Sequence, residues 1–147
     1  MKGANVFQGY WQLPQKTAEE FTGDGFFVTG DQGVISEDGY IAIVGRAKDM
    51  VISGGYNVYP KEVELVLDQL PGVIESAVIG VSDSDLGEAV VAVVVADGDI
   101  DELQMIAQAK QQLATYKVPK KIYQLAELPR NTMGKVQKNI LRQQYSV

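Results

Sequence analysis

The sequence predicts an α+β fold: a small three-stranded sheet flanked by helices, preceded by a β-hairpin and by short strands near the N-terminus. Two observations carry this. From Pro60 onward, apolar residues at helical spacing alternate with β-branched runs, separated by Gly, Pro and Asp. Before residue 46 the chain is instead rich in Gly and aromatics and has no long helical pattern.

In residues 1–45, Phe7, Tyr10, Trp11, Phe21, Phe26, Phe27 and Tyr40 are 7 of the chain's 12 aromatic residues. Lys16 to Phe21 reads as a short helix. Phe26 to Thr29, Gly33 to Ser36 and Tyr40 to Val44 read as strands, the last two joined by a Glu37-Asp38-Gly39 turn. So many large apolar groups on so little chain predict a piece that packs against something else, or that pairs with a second copy through residues 1–45.

Residues 46–59 read as a connector. Arg46 to Asp49 is charged, Met50 to Ser53 is a strand, Gly54-Gly55 a turn and Asn57 to Tyr59 the returning strand. Pro60 suits the first position of a helix, where its missing N–H is not needed. Val63, Val66, Leu67 and Leu70 then share one face, and Pro71-Gly72 ends the element. Val73 to Val81 and Glu88 to Ala96 are β-branched strands. Asp101 with Gln104 predicts a capping box for a helix carrying Leu103, Ile106, Ala107 and Leu113. Lys121 to Ala126 is a further strand, and a last helix carries Val136, Ile140 and Leu141.

Composition excludes several chemistries. Without cysteine or histidine there is no disulfide, thiolate nucleophile, His-ligated metal or His general base in this chain. Net charge is −6, which argues against nucleic acid as a partner. The charge is uneven: residues 110–147 hold 8 Lys+Arg against 1 Asp+Glu, either a solvated basic face or a surface for a small polyanion. The longest apolar run, Ala89 to Ala96, has eight residues. A membrane helix needs about 20. No signal pattern opens the chain, and the reading is a cytoplasmic protein without a membrane segment. Gly134-Lys135 fails as a Walker loop because Val136 follows and Pro stands at position 129. Gly23-x-Gly25 fails as a dinucleotide fingerprint, with Val28 where Gly is needed. Asp83-x-Asp85 resembles a calcium loop, but Gly87 comes one place early, and no metal site is expected.

Several residues carry two readings. Asp31, after Thr29-Gly30, can accept both hydroxyls of a ribose or can satisfy turn amides. Arg46, beside Lys48 and Asp49, can fork onto a hydroxyl or phosphate or sit in a surface ion pair. Gly54-Gly55 permits close approach of a ligand or simply turns a hairpin. Lys135, presented by the loop Pro129 to Gly134, can bridge a carboxylate and a phosphate, or is a solvated lysine at a helix start. The latter is unfavourable for the helix dipole.

As an ordered set, GFFVTGD (25–31), GRAKDMVISGGYNVYPKEVE (45–64), VIESAVIGVSDSDLGE (73–88) and LPRNTMGKVQKN (128–139) resemble the superfamily of acyl-CoA synthetases, luciferases and peptide-synthetase adenylation domains. NVFQGYW (5–11) is similar to the end of that family's large domain. The SGGYNVYPKEVE run is more like the AMP-forming acyl-CoA synthetases, and the tail PRNTMGKVQKN is similar to malonyl-CoA synthetases in particular. The resemblance implies that residues 1–45 are the end of a large adenylating domain. Residues 46–147 would then be a small C-terminal lid domain with a hinge near 46–49. It implies ATP and CoA as substrates with a small carboxylate such as malonate, and Mg²⁺ in the complete enzyme. Asp31 and Arg46 would contact the nucleotide, Lys135 would be the catalytic lysine of adenylation and Lys48 would sit at the hinge. Gly54, Gly55 and Tyr56 would line the pantetheine tunnel. The family's phosphate loop, acyl pocket and Mg²⁺ site belong to an N-terminal domain missing from this sequence, so the chain alone is expected to be inactive. The alternative is a non-catalytic module that binds a nucleotide or a partner.

Overall fold

The computed structural model describes residues 1–146; position 147, the last of the region 46–147, lies outside them. The chain forms two compact units, Met1–Ile43 and a second that begins at Val44.

In the first unit, α1 (Pro14–Glu20) opens with proline at its first turn. Phe7 meets Tyr10, Phe21 and Phe27 edge-on at centroid distances of 5.1, 5.5 and 5.0 Å. These rings therefore pack on one another, whereas Trp11 and Tyr40 remain exposed. The strand expected at 26–29 is only a single bridge, Phe21 to Phe27. Its backbone is occupied elsewhere, with Phe27 N donating to Met1 O and Val28 N to Glu20 O. β1 (Asp31–Ile35) and β2 (Ile41–Arg46) form a hairpin. Its turn closes through Ser36 N to Tyr40 O and Gly39 N to Ser36 O, both 2.9 Å.

The second unit has the expected three strands, extended by the hairpin into a five-stranded sheet. β3 (Val51–Ser53) and β4 (Tyr56–Val58) make that hairpin. α2 (Pro60–Leu67) follows, then the antiparallel ribbon of β5 (Val73–Asp83) and β6 (Gly87–Ala96). α3 (Glu102–Ala109) crosses back to β7 (Lys121–Gln124), which lies parallel to β6. α4 (Lys138–Tyr145) closes the described chain. β3 reaches the sheet through one residue pair, Ser53 with Gly87.

The central ribbon explains the long apolar run. Val78, Val90, Ala92 and Val94 point to one face, where Val63 and Leu67 of α2 and Met105 and Ala109 of α3 cover them. Ala77, Ile79, Val91, Val93 and Val95 point to the other, beneath Leu128 and Leu141. Strands apolar on both faces lose their alternating pattern.

α3 departs from expectation. Asp101 Oδ1 does cap Gln104 N at 3.0 Å. Leu103, however, is 78% exposed, and the buried positions are Met105 and Ala109. The cause lies at the first turn. Glu102 accepts from Ile122 N and from Lys121 Nζ, each at 3.1 Å. That pins the face carrying 102, 105, 106 and 109 against β7 and turns Leu103 outward.

Candidate functional site: two ends of one ribbon

Lys135 and the Gly54-Gly55-Tyr56 segment, both in the second unit, lie at two separate places along the β5–β6 ribbon. At the β5 start, residues 129–137 form a tight turn. Arg130 bridges Val136, Asn131 N donates to Lys135 O at 2.9 Å, and Gln137 N donates to Pro129 O at 2.7 Å. Asn131 Oδ1 accepts from both Met133 N and Lys135 N at 3.0 Å. Gly134 takes φ +76°, a conformation that favours glycine. Arg130 Nη1 donates to Gly134 O at 2.7 Å, and its Nη2 pairs with Glu75 on β5. Lys135 is exposed on the returning arm. It does not start a helix, because α4 begins at Lys138, so the dipole argument for it falls away.

At the other end, Gly54 and Gly55 turn the β3–β4 hairpin with φ +57° and +83°. Gly54 N donates to Leu86 O at 2.9 Å, and a Cβ there would stand 3.4 Å from Leu86 Cδ2. Leu86 is held in turn by Asp83 Oδ1, which accepts from Leu86 N at 2.9 Å and Asp85 N at 3.0 Å. Those amides hold the Asp83 carboxyl below the usual carboxylate range. Tyr56 stacks on Tyr116 with centroids 4.6 Å apart. Gly54, Tyr56, Leu86, Thr115, Tyr116 and Lys120 line a groove of about 360 Å³. Lys117 ties this loop to α2 through Glu62 at 2.5 Å, a bond that raises the Lys117 pKa.

Glu75 and Asp83 mark these two ends of β5. At about 3.3 Å per residue the strand separates them by roughly 26 Å. One reacting centre therefore cannot touch Lys135 and the Gly54 groove in the same arrangement.

The remaining positions are simpler. Lys48 is exposed in a single 3₁₀ turn, Ala47–Asp49, and the adjacent Asp49 accepts from Arg142 Nη2 of α4 at 2.8 Å. Arg46 is the exposed last residue of β2. Asp31 is the exposed first residue of β1, in the first unit, and its amide donates to Thr29 Oγ1 at 3.1 Å. Among the described residues no group of three or more His, Cys, Asp or Glu is placed to hold a metal. No helix among them is long and apolar enough to cross a membrane. Sequence reasoning missed Tyr116, whose partner Tyr56 is distant in the chain, and Lys120. The basic excess after residue 110 was the only signal for either.

Residues 62–135 match the family described as AMP-binding enzyme C-terminal domain. The chain belongs to this family. The matched segment runs from within α2 through the whole ribbon to Lys135; the hairpin with Gly54, Gly55 and Tyr56 precedes it. Lys135 and the groove residues Leu86, Thr115, Tyr116 and Lys120 thus lie within the matched domain. The chain is 46% identical to a long-chain-fatty-acid–CoA ligase of Mycobacterium tuberculosis, over 99% of this chain and 29% of that protein. It is 41% identical to a malonate–CoA ligase of Arabidopsis thaliana, over 97% of this chain and 26% of that protein. Among solved structures it is similar to ATP-bound MatB from Rhodopseudomonas palustris, with TM-score 0.89 and 59% identity, covering 98% of this chain and 29% of that one. The chain spans less than a third of the length of these relatives.

Proposed function

We propose that this chain is the C-terminal part of an ATP-dependent, AMP-forming acid–CoA ligase, acting on malonate or another small acid. The observation that supports the reading is that Lys135 and the Gly54-Gly55 turn lie at opposite ends of one β-ribbon. The reaction has two steps that need different groups. In the first, a carboxylate oxygen attacks the α-phosphorus of ATP, forming acyl-adenylate as the bond to pyrophosphate breaks. The Lys135 ammonium, held on a turn fixed by Asn131 and Arg130, stabilises negative charge shared between carboxylate and phosphate. Asp31 accepts the ribose hydroxyls and Arg46 contacts the nucleotide. In the second step, the CoA sulfur attacks the adenylate carbonyl and AMP leaves. Gly54 and Gly55 let backbone approach the pantetheine arm, and Tyr56 walls the tunnel.

The two ends serve in turn if the second unit rotates about residues 46–49, with Lys48 at the hinge. Residues 1–45 are then the last strands of the large adenylating domain and residues 46–147 the lid. In the complete ligase the rest of that domain covers the exposed Ile35, Tyr40, Ile41 and Ile43. In the chain alone these residues favour self-association. Mg²⁺ accompanies ATP in the complete ligase, and no residue of this chain is assigned to it. Such chemistry belongs in the cytoplasm, where ATP and CoA are supplied. Malonate is favoured by the likeness to the Arabidopsis malonate–CoA ligase and by the PRNTMGKVQKN tail.

The test is a fusion that sets this chain behind the N-terminal portion of the Arabidopsis malonate–CoA ligase. Malonate-dependent exchange of pyrophosphate into ATP and formation of malonyl-CoA are then measured. Both activities are expected. A folded fusion that performs neither would refute the proposal.

A further inference from the structure

Glu64 is a buried acid to which the proposed reaction gives no part, with 7% of its surface exposed. It reaches from α2 to the open edge of β5, where Oε1 accepts from Val78 N at 2.9 Å. The same oxygen accepts from Lys138 Nζ at 2.6 Å. Lys138 is the first residue of α4, three positions beyond Lys135. Glu64 therefore joins α2, β5 and the start of α4 at a single point.

The turn that carries Lys135 has two arms, one tied directly to β5 and the other tied to Glu64 of α2, which itself bonds β5. The outgoing arm is held by Arg130 and Glu75, whose side chains are 43% and 31% exposed. The returning arm leads into Lys138 and Glu64, with side chains 18% and 9% exposed. Exposed ion pairs contribute little, and buried ones hold geometry strongly because breaking them strands a charge. The buried pair is thus the stronger anchor of the returning arm, three residues beyond Lys135, on a turn that Asn131 and Arg130 shape internally.

We infer that Glu64 and Lys138 are a positioning pair for Lys135, needed for adenylate formation and dispensable for thioester formation. The inference rests on the proposed role of Lys135. The second step uses the Gly54 groove at the far end of the ribbon, so its rate is an internal control for the fold of the unit.

The experiment uses the fusion described above, with Glu64→Gln and Lys138→Met combined. Gln still accepts from Val78 N, and Met fills the lysine stem, so neither partner is left as an unpaired buried charge. Adenylate formation from malonate and ATP, and thioester formation from supplied malonyl-adenylate, are measured separately. The expected result is a kcat for adenylate formation at least tenfold lower with KM for ATP within threefold, and thioester formation within twofold of the parent. Loss of a contact made only in the transition state has that signature. Lys138→Arg, which keeps the pair, is expected to retain at least a third of the adenylation rate. Equal losses in both half-reactions, or no loss in either, would overturn the inference. If the double variant does not fold, Lys138→Gln alone is judged by the same split. Lys135→Ala is run alongside. If it spares adenylate formation, the underlying reading fails; if it alone is selective, only the positioning pair fails.

Discussion

Replacing Leu141 with alanine removes the side chain by which α4 grips the sheet. Leu141 is 0% exposed and shares its cluster with Ala77, Ile79, Val91, Val93 and Leu128. Burial of a leucine contributes about 1.5–3 kcal/mol by transfer alone. The ribbon is continuous on both sides of the site and cannot collapse into the gap, so a cavity term adds to this. The expected loss is about 3–4 kcal/mol, within the range for buried Leu→Ala changes. A domain of this size is stable by only about 5–15 kcal/mol. Urea denaturation of the full chain, followed by far-UV circular dichroism, is the assay. The single tryptophan, Trp11, lies in the first unit, so its fluorescence reports on that unit instead. With a slope near 1.5 kcal/mol per molar urea, the dichroism midpoint should fall by about 2 M. The neighbouring Ile140, 38% exposed, serves as control, and Ile140→Ala should cost under about 1 kcal/mol. Equal effects of the two substitutions, or a Leu141→Ala loss below about 1 kcal/mol, would refute the packing described for α4.

Gly54→Ala places a Cβ at φ +57° with only an ordinary contact to Leu86, so backbone strain of about 1–2 kcal/mol should appear in the same urea titration. In the fusion it should slow thioester formation more than adenylate formation, by separate assay of the two steps. For Lys117, bonded to Glu62, the folded pKa is raised. Its stabilisation is therefore fully present below the ordinary lysine pKa and lost as pH rises through the folded value. The stability gap between the parent chain and Glu62→Gln should be constant through neutral pH and close under strongly alkaline conditions; a gap that widened there would contradict the assignment.

Much of the second unit was legible because its signals are local. Val63, Val66 and Leu67 mark the inward face of α2, although the helix ends at Leu67 and the buried Leu70 lies in the turn after it, and the β-branched runs mark β5 and β6. Asp101 announces the start of α3 through a bond to its own third neighbour. The rotation of α3 was not legible, because Glu102 bonds β7 across an interval that no periodicity records. The hairpin's entry into the sheet rests on one pair, Ser53 with Gly87, which leaves no pattern in either segment. The candidate site divides similarly. Glycines at 54, 55 and 134 signal turns by their type, and all three take positive φ. The Tyr56–Tyr116 stack and the Glu64–Lys138 pair join residues far apart in sequence, so only the fold shows them. In the first unit, Phe26 to Thr29 has strand composition, but the amides of Phe26, Phe27 and Val28 donate to Thr22 Oγ1, Met1 O and Glu20 O instead of along a strand ladder.

The measurement that bears most directly on the division of labour between the two ends is Lys135→Ala in the fusion, assayed one half-reaction at a time. The account predicts that adenylate formation falls by roughly 100-fold or more, the scale for loss of one transition-state donor. Conversion of supplied malonyl-adenylate and CoA to thioester should stay within twofold of the parent. Equal losses in the two steps, or an undiminished first step, would contradict it.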